Sequence, residues 1–255
     1  MRRFADLTLN ELRLSLYEMR QYWFETVLSI SVMTAVFVGL FFGIKHFVLA
    51  GDAGQSLNGL VFGYILWSFA SSAYQSASSS ITQDTQTGVL EQLFLCPDGF
   101  VKLMSARVVA GALFGIVMLL ILALLAMALT GNWLDLNFPL LFLALFAGAP
   151  ALVGVGFAMG GLALVFKRVE TLAMMLSIAF IGLVALDGLP FGFASLLPFT
   201  PAVSLSKMLA LDATLPSLVE AVIVAANSLI YLMLGLLVFR VCERHAKRKN
   251  LIGMY

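Results

Sequence analysis

Charged side chains are scarce here: Asp, Glu, Lys and Arg together make up 11% of the 255 residues, against roughly a quarter in a soluble domain. That shortage excludes water as the solvent for most of the surface. Histidine is nearly missing, with only His46 and His245, and no His/Glu cluster has the spacing of metal ligands. Cysteine is equally sparse. Cys96 and Cys242 stand near opposite ends of the interior sequence, so they make no metal cluster and read as fillers on a reducing side of the chain. No lysine completes the phosphate-cradling pattern G-x-x-x-x-G-K-[ST], so any nucleotide hydrolysis is expected on another polypeptide. A cleaved secretory signal is not expected either, because a mixed polar stretch precedes the first apolar run.

What the chain has in abundance is apolar length. Hydrophobic residues make up 61% of it, and a run of about 20 of them covers the hydrocarbon core of a bilayer. Six spans are expected, near 24–44, 57–81, 104–129, 140–166, 171–186 and 218–241. The fold class is therefore all-α: a polytopic membrane protein with residues 1–255 as a single transmembrane domain. Orientation follows from the basic residues. An even number of spans puts both termini on one side, with Arg2, Arg3, Arg13, Arg20, Lys102, Arg107, Lys167, Arg168 and the basic tail from Arg240 onward. Of the 15 basic residues, the other side holds only Lys45 and Lys207. Both termini are thus expected in the cytoplasm, and the chain in the cytoplasmic (inner) membrane.

The segments between spans carry pattern of their own. Over 4–23, Leu9, Leu12, Leu16, Met19 and Trp23 recur at helical spacing, with Glu11, Glu18 and Glu25 on the far side. Such a cytoplasmic amphipathic helix lies in the interface plane. It is either a lead-in to the first span or an interfacial gate helix. The connection 82–102 places Val89, Leu90, Leu93 and Phe94 at helical spacing, with Gly88 before and Pro97 after as a stop. A short amphipathic helix across the mouth of a bundle suits either a soluble partner or plain interfacial anchoring. The outer segment 187–216 combines Pro190, Pro198, Pro201 and Pro216 with a rich supply of Leu, Phe and Ala. Non-helical backbone at membrane depth survives only when shielded, so two short re-entrant helices are expected there.

The spans themselves differ. In the second, Ser68, Ser72, Ser76 and Ser80 repeat every four residues, joined by Ser71, Ser78 and Ser79. Small residues at that spacing let helices pack closely. A polar wall of a translocation route is the other reading, with Tyr64, Trp67, Ser71, Tyr74 and Gln75 as its lining. The fourth span holds Pro150 followed by Gly154, Gly156, Gly160 and Gly161, a kink beside a close-packing face. No span carries an acid or base at mid-membrane, which argues against an ion-coupled carrier or a charged filter.

Local sequences then point to a family. Gly88-Val89-Leu90-Glu91-Gln92-Leu93 followed by Pro97 resembles the G-T-L-E-x-L…P stretch of ABC type-2 exporter permeases, with Val89 in place of threonine. Phe166-Lys167-Arg168 with Glu170-Thr171-Leu172 is similar to that family's connection between spans four and five. Leu197-Pro198-Phe199-Thr200-Pro201 resembles its outer proline pair, with Thr200 where asparagine is common. The resemblance implies a permease subunit working with a separate ABC ATPase, which would hold the ATP and magnesium. It also implies a second permease copy (a homodimer or a pair with a different permease), surrounding membrane lipid and no nucleic acid. Residues 82–97 would be the coupling helix, with Glu91 as polar contact, Leu90 and Leu93 as apolar anchors, and Gly88 and Pro97 as its ends. The expected function is export of an amphipathic or lipid-like substrate, a drug, an antibiotic or a lipid-linked glycan. An intramembrane enzyme (a protease or lipid-modifying transferase), a channel and a secondary transporter are the alternatives.

Overall fold

A computed structural model describes residues 2–47, 53–86, 89, 93, 100–131, 137–166, 169–210 and 214–248. The described residues form α1 (Arg2–Gln21), α2 (Trp23–Phe47), α3 (Ala53–Gln86), α4 (Phe100–Thr130), α5 (Phe138–Phe166) and α6 (Glu170–Ala185). A 3₁₀ turn (Phe193–Leu196), α7 (Thr200–Ala210) and α8 (Leu218–Arg248) follow, and no strand occurs among the described residues. Four stretches are long and apolar enough to cross a membrane: Trp23–Phe42, Lys102–Thr130, Phe138–Phe166 and Leu218–Ala246. The chain is a helical membrane protein. The serine-rich α3 stands outside that class, and α6 is apolar but only 16 residues long.

The tightest contact in the bundle is between α5 and α8, which run parallel. Ser228 Oγ donates to the Ala147 carbonyl at 2.7 Å, and further along Gly154 faces the backbone of Tyr231 and Leu232. Gly235 returns the approach, lying against the backbone of Gly154, and Gly161 sits against Phe239. A side chain at any of these positions would collide with the neighbouring main chain, so glycine here sets how close the axes come. Pro150 lies inside α5, one turn before Gly154. The close-packing face expected of the fourth span is present, with α8 as its partner.

The outer segment departs from expectation. In place of two re-entrant helices there is one four-residue 3₁₀ turn and one 11-residue helix, α7. Gly192 is extended and Pro198 has no N–H to give, so only a single turn fits between them. α7 is buried along Thr200–Ser206, packed between α5 and α8. The carbonyls of the turn find donors on α8. Asn227 Nδ2 donates to Ser195 and Leu197, both at 3.0 Å, and Tyr231 Oη donates to Leu196 at 2.7 Å. Non-helical backbone is thus satisfied by side chains rather than by water.

At the opposite end, α1 lies against the start of α4. Leu12 and Met19 of the expected apolar stripe are half-buried, while Leu9, Leu16 and Trp23 are exposed. Glu11 is not on a solvated face as its spacing with Glu18 and Glu25 suggests. Arg107 of α4 holds it through Nε at 3.2 Å, and also holds Asp84 of α3 through Nη1 at 2.5 Å. One guanidinium therefore ties three helices together, using the fork of donors that arginine presents.

Candidate functional site

The seam between α3 and α6 gathers a cluster of polar side chains that reach across from one helix to the other. Trp67 and Tyr74 are seven residues apart, two helical turns, and so lie on one face of α3. Trp67 Nε1 donates to the Ser177 carbonyl at 2.9 Å. Tyr74 Oη lies 2.5 Å from the Ala173 carbonyl and 2.5 Å from Ser177 Oγ. A phenol has a single proton. With that proton on the carbonyl, Ser177 donates to Tyr74, and Gln75 Nε2, at 3.4 Å, donates weakly to Ser177 Oγ. The result is a short chain, Gln75 to Ser177 to Tyr74 to a backbone carbonyl, in which each bond polarises the next. The Tyr74 ring, fully buried, stacks on Phe180 at 5.4 Å.

On either side of this latch lies a cavity. At the end nearer α7, α2, α3 and α6 border a side-open cavity of about 620 Å³, within the range of ~300–1,000 Å³ that takes a drug-sized molecule. Its walls are apolar and aromatic, Phe37, Phe41, Tyr64 and Trp67 among them, and Lys207 of α7 is its one charged lining residue among those described. Tyr64 stacks on Phe37 with centroids 4.0 Å apart. The hydroxyls of Tyr64 and of Thr34 on α2 are buried and reach no hydrogen-bond partner among the described residues. At the other end, about 720 Å³ opens between α3 and the start of α6. Gln75, Ser78, Ser79, Thr82, Gln83 and Glu170 line it, so this vestibule is polar where the other is greasy.

The five residues expected to line a route are therefore divided. Tyr64 and Trp67 wall the apolar cavity, and Gln75 lines the polar one. Tyr74 lines neither; it is the latch between them. Ser71 lines neither as well, and its buried hydroxyl has no partner among the described residues. The serine stripe divides in the same way. Ser68 and Ser72 donate to carbonyls of their own helix, of Ile65 and Phe69, and serve packing. Ser78 and Ser79, further along, face the polar vestibule.

Ser177 and Lys207 belong to this site and were not singled out from sequence. A serine in an otherwise apolar sixteen-residue helix is the only signal that marks Ser177. Of the coupling residues, Gly88, Leu90, Glu91 and Pro97 lie outside the described residues. Leu93 N–H donates to the Val89 carbonyl at 3.1 Å, one helical turn. Its side chain packs on a small inner cluster formed by Met104, Val108, Phe157, Leu164 and Phe239. Among the described residues no group of three or more His, Cys, Asp or Glu could hold a metal ion. No protein-family model matches this chain, and no curated protein matches it.

Proposed function

We propose that this chain is the transmembrane permease subunit of an ATP-driven exporter of the ABC type-2 kind. It carries an amphipathic or lipid-like molecule outward from the cytoplasm or inner leaflet. The observation that carries the reading is the α3–α6 seam: a polar vestibule and an apolar cavity in line along two helices, parted by the Trp67–Ser177–Tyr74 hydrogen bonds. A molecule with a polar and an apolar part meets a matching surface on each side of that latch. Opening the latch exchanges a few hydrogen bonds of about 1 kcal/mol each, which is within reach of a bias supplied by a partner.

In this reading α2, α3, α4, α5, α6 and α8 cross the cytoplasmic membrane, α3 and α6 being shielded by their neighbours, and both termini are cytoplasmic. ATP and magnesium belong to a separate ABC ATPase, and a second permease copy, identical in a homodimer, completes the transporter. The segment 82–97 docks the ATPase, with Leu90 and Glu91 on the ATPase side. Leu93, packed on the inner cluster, carries movement of that segment to α4, α5 and α8.

The test is a purification from the native membrane through a tag on this chain. An ATPase with a Walker motif is expected to co-purify, and Glu91→Lys is expected to release it while the permease stays folded. Cargo movement by the isolated chain, or ATP-dependent transport that survives the charge reversal, would sink the docking assignment.

A further inference from the structure

We infer that the apolar cavity selects amphiphiles with an anionic head, held by the Lys207 ammonium at the end nearer α7. Two independent features support this. The first is space kept open by glycine. Gly59 and Gly63 stand one turn apart on α3 and both line the cavity, and a Cβ added at either would meet nothing within 4 Å. Glycine inside a helix costs about 0.5–1 kcal/mol relative to alanine. At Gly154 and Gly235 that cost allows close backbone approach; at Gly59 and Gly63 no neighbouring chain among the described residues takes up the room. Their effect is a smooth channel wall wide enough for an alkyl or isoprenoid body.

The second feature is charge. Lys207 occupies the last turn of α7, where the helix dipole favours a cation, and it is among the residues that line the cavity. Its ion-pair partner among the described residues is Asp187, at 2.8 Å. The Asp187 side chain is 73% exposed, and an exposed pair of this kind adds little stability. An ammonium has three donors, so a carboxylate or phosphate head can join this pair or replace Asp187 in it. The body of such a molecule then runs down past Gly63 toward Trp67. That the occupant is cargo rests on the export function proposed above; the binding itself needs no ATPase, so the two can fail separately.

Trp67 in the cavity wall provides the readout. Full-length chain with Trp67 as its only tryptophan (Trp23→Phe, Trp133→Phe) is placed in phosphatidylcholine nanodiscs. It is titrated with dibrominated phosphatidylglycerol or dibrominated phosphatidylcholine of the same chains. The anionic probe is expected to quench Trp67 at a roughly fivefold lower mole fraction, the size of one half-exposed ion pair. Lys207→Gln should bring the two probes level, Asp187→Asn should widen their separation, and Gly63→Leu should remove quenching above that of bulk lipid. Equal quenching by both probes in the parent chain, or a preference that survives Lys207→Gln, overturns the head-group assignment. Quenching unchanged by Gly63→Leu overturns the cavity as the location. Absence of quenching with the chain running as a dimer would put a second copy over the seam, and overturns the proposal too.

Discussion

Two pairs of helices in this bundle use glycine to opposite ends. Between α5 and α8, Gly154 and Gly235 bring main chain against main chain, and a buried serine hydrogen bond lies two turns away. Between α3 and its neighbours α2 and α6, Gly59 and Gly63 face a cavity, and the helices are held by side chains that reach across: Trp67, Tyr74 and Ser177. The first pair is joined along its length by backbone contact. The second is joined at a few polar points, each reversible. A helix bundle that must hold shape and also open needs both kinds of contact, and here they occupy different sides of the molecule.

The largest effect should come from filling a glycine of the first pair. Gly235→Leu forces a side chain into the backbone of Gly154, and overpacking of this severity exceeds the usual ~1–3 kcal/mol. The variant is expected to lose its monodisperse peak in detergent size-exclusion chromatography. Wild-type elution would show that α5 and α8 are not locked by backbone contact.

Tyr74→Phe should act next. It deletes one buried hydroxyl and its bond to Ala173, with a loss of about 1–2 kcal/mol and a correspondingly lower unfolding midpoint. It should also loosen the seam: a cysteine placed at Ser177, in a Cys96→Ala, Cys242→Ala background, is expected to react faster with a thiol reagent when Tyr74 is Phe. Equal reaction rates would mean that the tyrosine is ordinary core.

The smallest effect belongs to Gly59→Ala. With nothing within 4 Å of the added methyl, helix propensity alone should raise stability by about 0.5–1 kcal/mol. A thermal midpoint that falls instead would show that something closes over this face, and would erase the contrast between the two glycine sets.

Much of the scaffold could be read from apolar run length. The span expected at 140–166 is the helix Phe138–Phe166, and that at 171–186 is Glu170–Ala185, because boundaries in a membrane chain coincide with abrupt changes in polarity. The outer segment was legible as shielded backbone but not as its exact pair of elements, since Asn227 and Tyr231, which satisfy its carbonyls, lie some thirty residues away. The site was legible only in part. Tyr64, Trp67 and Gln75 stood out as polar or aromatic groups in a span. Whether each one lines a cavity depends on Ser177, more than a hundred residues later, and spacing within a single helix carries no information about that. Gly59 and Gly63 are indistinguishable in sequence from packing glycines, because what matters is what stands opposite.

Arg107 has unequal hands. It reaches Asp84 at 2.5 Å and Glu11 at 3.2 Å, so two different helices share one cation on α4. If the N-terminal helix swings off the bundle, it gives up one ion pair and leaves the guanidinium still neutralised. Lifting that lead segment therefore also uncovers half-buried Leu12 and Met19, while Asp84 keeps α3 and α4 joined.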